Sequence, residues 1–207
     1  MRVLIDPGHG GSDPGCSSMH TGALEKTVAL DIALGVDEIL RRGKWPDVVE
    51  TLMTRKIDKR VGLSDRCAEA NDFDADLAVS IHLNADDGID EGAAEPSGFE
   101  VWCYRQRPLG VLPLTKGYRV AQLVEAEFAG FSALRNRGIK TVRNPKDDSL
   151  TKARARYFLE NTAMTAVLVE CGFLTSPVDS VWYADPPNRE RAARAIANAV
   201  LGARSFL

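Results

Sequence analysis

Strand-like and helix-like patterns alternate along the chain. Short apolar runs predict buried strands at 3–5, 48–53, 77–81, 99–104, 156–159 and 166–169. Apolar residues at helical spacing predict helices over 24–39, 63–71, 118–128 and 189–203. Polar stretches rich in Gly or Pro predict surface loops at 85–98 and 108–113. With no internal repeat and no Pro- or Ser-rich linker, this order predicts one α/β domain over residues 1–207, its sheet covered by helices on both faces.

Composition and charge narrow the class of protein. The chain is 44% hydrophobic and 27% charged, which is ordinary for a globular protein and excludes a disordered one. A net charge of −3 gives no broad electrostatic attraction to nucleic acid or to an anionic membrane. No apolar run approaches the roughly 20 residues that span a bilayer. The four cysteines are scattered without a CxxC pair, which predicts isolated thiols.

Side chains that can bind a metal or transfer protons follow three of the predicted strands. The chain has 3 histidines, and two of them lie at strand ends: His9 in a Gly-rich turn and His82 directly after the strand 77–81. Glu170 follows the strand 166–169 in the same way. Sites in open α/β sheets gather beyond the carboxyl ends of the strands, so we expect these residues to lie together. His20 is interpreted as a loop residue.

The residue types indicate a metal centre. Two imidazoles and one carboxylate, with a position left to water, form a typical catalytic zinc site. Glu25 is the nearest carboxylate, and at the start of a helix its side chain points back toward the strand ends. Glu170 is placed to transfer a proton beside the metal. Taken singly, each residue has a plainer interpretation: a turn or core histidine, a helix N-terminal charge, or a buried acid paired with an arginine. Only the joint pattern favours the metal.

Four ordered motifs carry a family resemblance. The segment Val3–Gly11, followed by Asp13-Pro14-Gly15, resembles the opening of the zinc-dependent N-acetylmuramoyl-L-alanine amidases of the Amidase_3 family. Three further motifs of that family follow in order: Glu25-Lys26, Ser80–Ala85 and Val169–Ser176. Together they span essentially the whole chain.

The resemblance implies a fold, a site and a reaction. The fold is a three-layer α/β/α sandwich around a mixed, mostly parallel sheet of the phosphorylase/hydrolase-like type. One catalytic zinc ion is held by His9, Glu25 and His82, and Glu170 is the catalytic glutamate. The reaction is hydrolysis of the amide between the lactyl group of N-acetylmuramic acid and L-alanine, so the partner is peptidoglycan and its muramoyl peptide.

Two functions from other classes stay open at this point. A zinc peptidase that cuts within the stem peptide would use the same metal chemistry on a different bond. A non-catalytic wall-binding module would typically lack a ligand or the glutamate, whereas all four residues are present here.

The start of the chain and its length suggest a biological setting. The N-terminus has no signal-peptide pattern, and 207 residues leave no room for a separate wall-binding domain. We therefore expect a monomeric phage lysis enzyme, an endolysin, made in the cytoplasm and released through holin lesions to act on the cell wall. A spore-associated mother-cell lysin and a domain of a larger secreted enzyme are the alternatives.

Overall fold

The computed structural model describes residues 1–42, 49–86, 96–104, 115–130, 133–142 and 157–207. Within them, six strands form one sheet in the order β2-β1-β3-β6-β4-β5. The strands are β1 (Arg2–Pro7), β2 (Glu50–Met53), β3 (Leu77–Asn84), β4 (Phe99–Tyr104), β5 (Asn136–Val142) and β6 (Thr165–Phe173). The helices are α1 (Glu25–Arg42), α2 (Leu63–Asp72), α3 (Lys116–Ala129), α4 (Pro177–Ala184) and α5 (Pro186–Ala203).

Strand direction decides which strand ends meet. Strands β2, β1, β3 and β6 are parallel, β4 is antiparallel to β6, and β5 is parallel to β4. The carboxyl ends of β1, β3 and β6 therefore share one edge of the sheet with the amino ends of β4 and β5. We call this edge the site edge.

Alternating side chains fill two cores, one on each face of the sheet. In β1, Val3 and Ile5 belong to the larger core, which they share with α1, α3 and α5. Leu4 belongs to the second core, together with residues of α2 and the helical residues 157–161. The central strands β3 and β6 are buried along nearly their whole length, as expected for strands covered on both faces. The predicted mixed α/β sandwich is confirmed.

One predicted strand is wrong. The run 156–159 was expected to be extended, but residues 157–161 are helical, while residue 156 lies outside the described part of the chain. The Thr162 N–H donates to the carbonyl of Phe158, four residues earlier, as in a helix. Phe158 and Leu159 are buried in the second core. A short apolar run fits a buried strand and a buried helical turn equally well, so periodicity alone could not separate them.

Other boundaries differ from the sequence analysis in ways that affect the site. Strands β3 and β6 run past their predicted ends, so His82 and Glu170 lie within the last residues of strands. Strand β5 and helix α4 were not predicted. Residue 48, most of the predicted loop 85–98 and the loop 108–113 lie outside the described residues. Helices α1, α2, α3 and α5 are confirmed. No described helix has the length and apolar character that crossing a membrane requires.

A buried ion pair fixes the end of β1. The Asp6 carboxylate is 1% exposed and accepts a hydrogen bond from Arg66 Nη1 at 2.5 Å. The hydroxyls of Thr54 and Ser80 also donate to it, each at 2.7 Å. Arg66 Nη2 donates to the backbone carbonyl of His9 at 2.7 Å. The pair therefore holds the turn that follows β1 as well as the strand itself.

Replacing Asp6 by asparagine is expected to lower the free energy of unfolding by about 3–5 kcal/mol near neutral pH, because Arg66 is left buried without its anion. Burial would raise the pKa of Asp6, but Arg66 and the two hydroxyls bring it below its ordinary value. A lowered folded-state pKa means that the stabilisation is complete above the ordinary carboxyl pKa of about 3.9 and is lost as the pH falls through the folded value.

Urea unfolding of both proteins from about pH 7 to about pH 2.5 should therefore show their stabilities converging in acid. Asp72→Asn, at an exposed position of α2, is the control and should change stability by no more than about 0.5 kcal/mol. A stability gap for Asp6→Asn that stays constant with pH would contradict the prediction.

Candidate functional site

The structure brings together the three residues that the sequence predicts as metal ligands. His9 lies in the turn after β1, His82 lies near the end of β3, and Glu25 is the first residue of α1. Their ligand atoms all lie within 4.8 Å of one another. Glu25 Oε1 is 3.0 Å from His9 Nε2 and 2.9 Å from His82 Nδ1.

Glycines make this close approach possible. A Cβ on Gly8 would lie 2.3 Å from Cε1 of His82, inside the imidazole ring's contact distance. Gly15 has a φ of +67°, and a Cβ there would lie 2.4 Å from Oε2 of Glu25. His9 itself adopts a φ of 57°, a left-handed conformation that is uncommon for residues other than glycine. The Gly-rich turn after β1 is therefore shaped around the side chains of the cluster.

The donor set fits a single zinc ion. Two imidazole nitrogens and a carboxylate oxygen are the ligands of many catalytic zinc sites, where ligand atoms stand roughly 3.3 Å apart around the ion. Glu25 is held in place by backbone donors: the Leu83 N–H reaches Oε1 at 3.2 Å and the Cys16 N–H reaches Oε2 at 3.0 Å. The cluster is thus already assembled at a spacing close to the one that an ion requires.

The charge of Glu25 suits metal binding. Burial would raise the pKa of Glu25, but the hydrogen bonds and charges of His82 and His9 lower it far below its ordinary value. Glu25 therefore carries an ionised carboxylate throughout the neutral pH range, as a metal ligand requires. Burial would lower the pKa of His9, yet Glu25 and Asp13 together raise it.

Asp13 contacts the imidazole ring of His9. Its Oδ1 lies 3.0 Å from His9 Nδ1 and also accepts the Gly15 N–H at 3.2 Å. A carboxylate on one ring nitrogen orients an imidazole and leaves the other nitrogen for a metal. Asp13 belongs to the first of the four sequence motifs, but no role is predicted for it from the sequence. Its spacing of four residues after His9, in a glycine turn, is the signal that could have found it.

Glu170 lies next to the cluster in the sheet. It is the cross-strand partner of His82 between β6 and β3. Its side chain is buried, and among the described residues its Oε2 has no hydrogen-bond partner. Burial, followed by the charges of Glu25 and Glu100, raises the pKa of Glu170 well above its ordinary value. A buried carboxyl oxygen without a partner is rare and is consistent with a catalytic role.

A second buried carboxylate lies on the other side of Glu170. Glu100 in β4 is the antiparallel partner of Glu170 and is 3% exposed. Its Oε1 accepts hydrogen bonds from Asn84 Nδ2 at 3.1 Å and Trp102 Nε1 at 3.0 Å, and its Oε2 accepts one from Arg137 Nε at 3.0 Å. Neither Glu100 nor Arg137 is predicted from the sequence. The signal for Glu100 is a lone acid inside the apolar run of β4.

The structure also tests the predictions made for His20 and for the four cysteines. His20 is exposed in a turn, and its backbone N–H donates to Ser18 Oγ at 3.2 Å. It does not belong to the metal-ligand cluster found among the described residues. None of the four cysteines forms a disulfide.

Fold and site together define a class of protein. An α/β sandwich with two histidines and a carboxylate at one strand edge, and a buried acid beside them, is typical of a metal-dependent hydrolase. The family Amidase_3, described as N-acetylmuramoyl-L-alanine amidase, matches residues 3–202. The chain belongs to this family, which confirms the resemblance carried by the four motifs.

Individual relatives agree with the family. The chain is 34% identical over 182 residues to the sporulation-specific N-acetylmuramoyl-L-alanine amidase of Bacillus subtilis, covering 87% of this chain and 59% of that protein. It is 32% identical over 206 residues to the amidase CwlM of Bacillus licheniformis, covering 100% and 69%. The chain therefore spans about three fifths to two thirds of the length of these two relatives.

A solved structure shows the same fold. The N-acetylmuramoyl-L-alanine amidase AmiC2 of Nostoc punctiforme superposes with a TM-score of 0.80 at 30% identity, covering 99% of this chain and 97% of that one. The likeness therefore extends over the whole sandwich and includes the site edge.

Proposed function

We propose that the protein is a zinc-dependent N-acetylmuramoyl-L-alanine amidase, with residues 1–207 acting as one catalytic domain. It hydrolyses the amide between the lactyl group of N-acetylmuramic acid and L-alanine of the peptidoglycan stem peptide. The observation that carries the proposal is the convergence of His9, Glu25 and His82 beside the buried Glu170, in a chain of this family.

Three side chains would hold the ion. His9 and His82 supply imidazole nitrogens and Glu25 supplies an ionised carboxylate, while Asp13 orients the ring of His9. Zinc in such a site lowers the pKa of a coordinated water from 15.7 to about 7 and polarises a carbonyl oxygen. Because backbone N–H groups already fix Glu25, the protein needs little rearrangement to bind the ion.

Glu170 is the group that moves the proton. It accepts a proton from the attacking water as the oxygen bonds to the lactyl carbonyl carbon, and it returns the proton to the L-alanine nitrogen as the C–N bond breaks. The products are a lactyl carboxylic acid and a free L-alanine amino group. Burial and the nearby carboxylates raise the pKa of Glu170, which strengthens its affinity for the proton that it must carry.

Mass spectrometry of purified peptidoglycan digested by the protein tests the proposal. We expect free stem peptides that begin at L-alanine together with peptide-free glycan, with the activity lost on chelation and regained with zinc. Shortened stems still attached to glycan would replace the amidase with a zinc peptidase. Binding to peptidoglycan without cleavage would leave only a wall-binding module.

The proposed place of action is the cell wall. Phage lysis with release through holin lesions and the monomeric state stay predictions from the sequence. Similarity to a relative named sporulation-specific favours the alternative of a spore-associated lysin. Rates measured side by side on vegetative wall and on spore-cortex peptidoglycan separate these two settings.

A further inference from the structure

Arg137 lies on the site edge although it is far from the metal ligands in sequence. It is near the start of β5, whose direction places its first residues at the same edge of the sheet as the last residues of β6, with β4 between the two strands. The pairing of β4 with β5 shifts register between Phe99 and Val101, and Gly138 has a φ of +80° at that shift. Arg137 Nε thereby reaches Oε2 of Glu100, the cross-strand partner of Glu170.

The guanidinium of Arg137 is fixed from two sides. Glu100 holds it at 3.0 Å, and Glu100 is itself held by Asn84 and Trp102. On the other side the guanidinium carbon lies 4.7 Å from the centroid of the Phe173 ring. A side chain that has already lost its rotamer freedom in the fold loses little more on binding a ligand.

The outer end of the same side chain is open. Within the described part of the chain only Nε donates a hydrogen bond, and the two terminal nitrogens have no partner. The side chain keeps 27% of its surface exposed. An arginine that served only as the counter-ion of Glu100 would be expected to use its planar fork in a bidentate pair. Here only Nε bonds to Glu100, and the terminal N–H donors are left without a partner among the described residues.

We propose that Arg137 is a substrate-binding residue that donates hydrogen bonds from its terminal nitrogens to an acyl oxygen of the muramoyl peptide beside Glu170. This inference rests on the proposed amidase function. Glu100 offsets the charge of Arg137. The guanidinium therefore suits an amide carbonyl as well as a carboxylate, and the two share the same acceptor chemistry.

Binding measured without turnover tests the proposal. Calorimetry measures the binding of a ligand to the zinc-loaded Glu170→Gln variant. The ligand is the disaccharide GlcNAc-MurNAc carrying L-alanyl-D-isoglutamate. Adding Arg137→Ala is expected to weaken binding on the order of 10- to 100-fold, because a charge-assisted donor is lost. Arg137→Lys should fall in between, since it keeps the charge and loses the fork. Arg135→Ala removes the same charge from an exposed neighbouring position and should leave the affinity unchanged.

A second ligand with D-isoglutamine identifies the acceptor. A larger loss with isoglutamate assigns a carboxylate, and equal losses assign an amide or sugar acyl carbonyl. In the active protein Arg137→Ala should raise KM and leave kcat within about threefold. An unchanged affinity, an equal loss in Arg135→Ala, a loss confined to kcat, or no binding by the parent protein would overturn the inference. If the ligand binds with the expected dependence on Arg137 but wild-type protein leaves its muramoyl-alanine bond intact, the amidase proposal fails and the binding role stands.

Discussion

Replacing Glu170 by glutamine is expected to lower kcat for release of L-alanyl peptides by about 10²- to 10⁴-fold, the usual effect of removing a general acid–base group. Glutamine keeps the size of the side chain and cannot accept a proton from water at neutral pH. Glu170 is buried and has an oxygen without a partner among the described residues, so the loss should fall on the chemical step and leave the fold intact. Steady-state kinetics on soluble muramoyl peptides, with the zinc content of each sample measured by mass spectrometry, checks this.

Two comparisons make that result specific. Glu190→Gln removes a carboxylate from an exposed position of α5, outside the metal-ligand cluster, and should leave kcat unchanged. Zinc content should be equal in the wild-type protein and in Glu170→Gln, because Glu170 is not among the three clustered ligands. Full activity in Glu170→Gln would remove Glu170 from the mechanism, and a loss of zinc in step with activity would make it a ligand.

The sequence could predict the parts of the site that follow from strand order. His82 and Glu170 follow apolar runs that are recognisable as buried strands, and parallel strands deliver such residues to one edge. His9 comes after a third such strand, in a glycine-rich turn. Glu25 follows from the direction of side chains at the start of a helix. These four depend on local patterns and one general rule about parallel sheets.

The positions of Glu100 and Arg137 could not be predicted, because they depend on how the strands pair in the sheet. Glu100 faces Glu170 only because β4 is antiparallel to β6 and in this register. Arg137 reaches Glu100 only through the register shift between β4 and β5. Nothing in the local sequence fixes either relation. The strand predicted at 156–159 was wrong for a related reason: residues 157–161 are helical, but their apolar run fits a buried strand as well.

The surroundings of the two glutamates of the site differ in a way that fits the different roles proposed for them. Glu25 is buried between two imidazoles, which lower the pKa of its carboxyl despite the burial. Glu170 is buried beside Glu25 and Glu100, and burial with these negative charges raises its pKa. Two carboxyl groups whose pKa values are pushed in opposite directions commonly divide the work of a site. Here the charged one suits a metal ligand, and the one with high proton affinity suits a proton carrier.

Replacing Glu25 by glutamine is expected to abolish both zinc retention and amidase activity, because one change removes the anionic ligand that contacts both histidines. Loss of a residue that only supports a metal ligand typically lowers the metal affinity 10–100-fold. Loss of the ligand itself should lower the affinity by at least that factor. The amount of zinc bound per chain after dialysis against a weak chelator should fall together with the amidase activity. Both quantities are measured on the same samples. Glu38→Gln, an exposed position of the same helix α1, is the matched control and should keep both.

Stability measured without zinc separates loss of the metal from loss of the fold. Glutamine keeps the shape of Glu25, but its single carbonyl oxygen can accept only one of the two hydrogen bonds that Glu25 receives, from the Leu83 N–H at Oε1 and from the Cys16 N–H at Oε2. Loss of the other bond costs about 1–3 kcal/mol, so the zinc-free variant should unfold within about 10 °C of the zinc-free wild-type protein, whereas added zinc should raise the Tm of the wild type only. A zinc-dependent rise in the Tm of Glu25→Gln equal to that of the wild type would show that the ion is held elsewhere, and His9 and His82 would then need a different explanation.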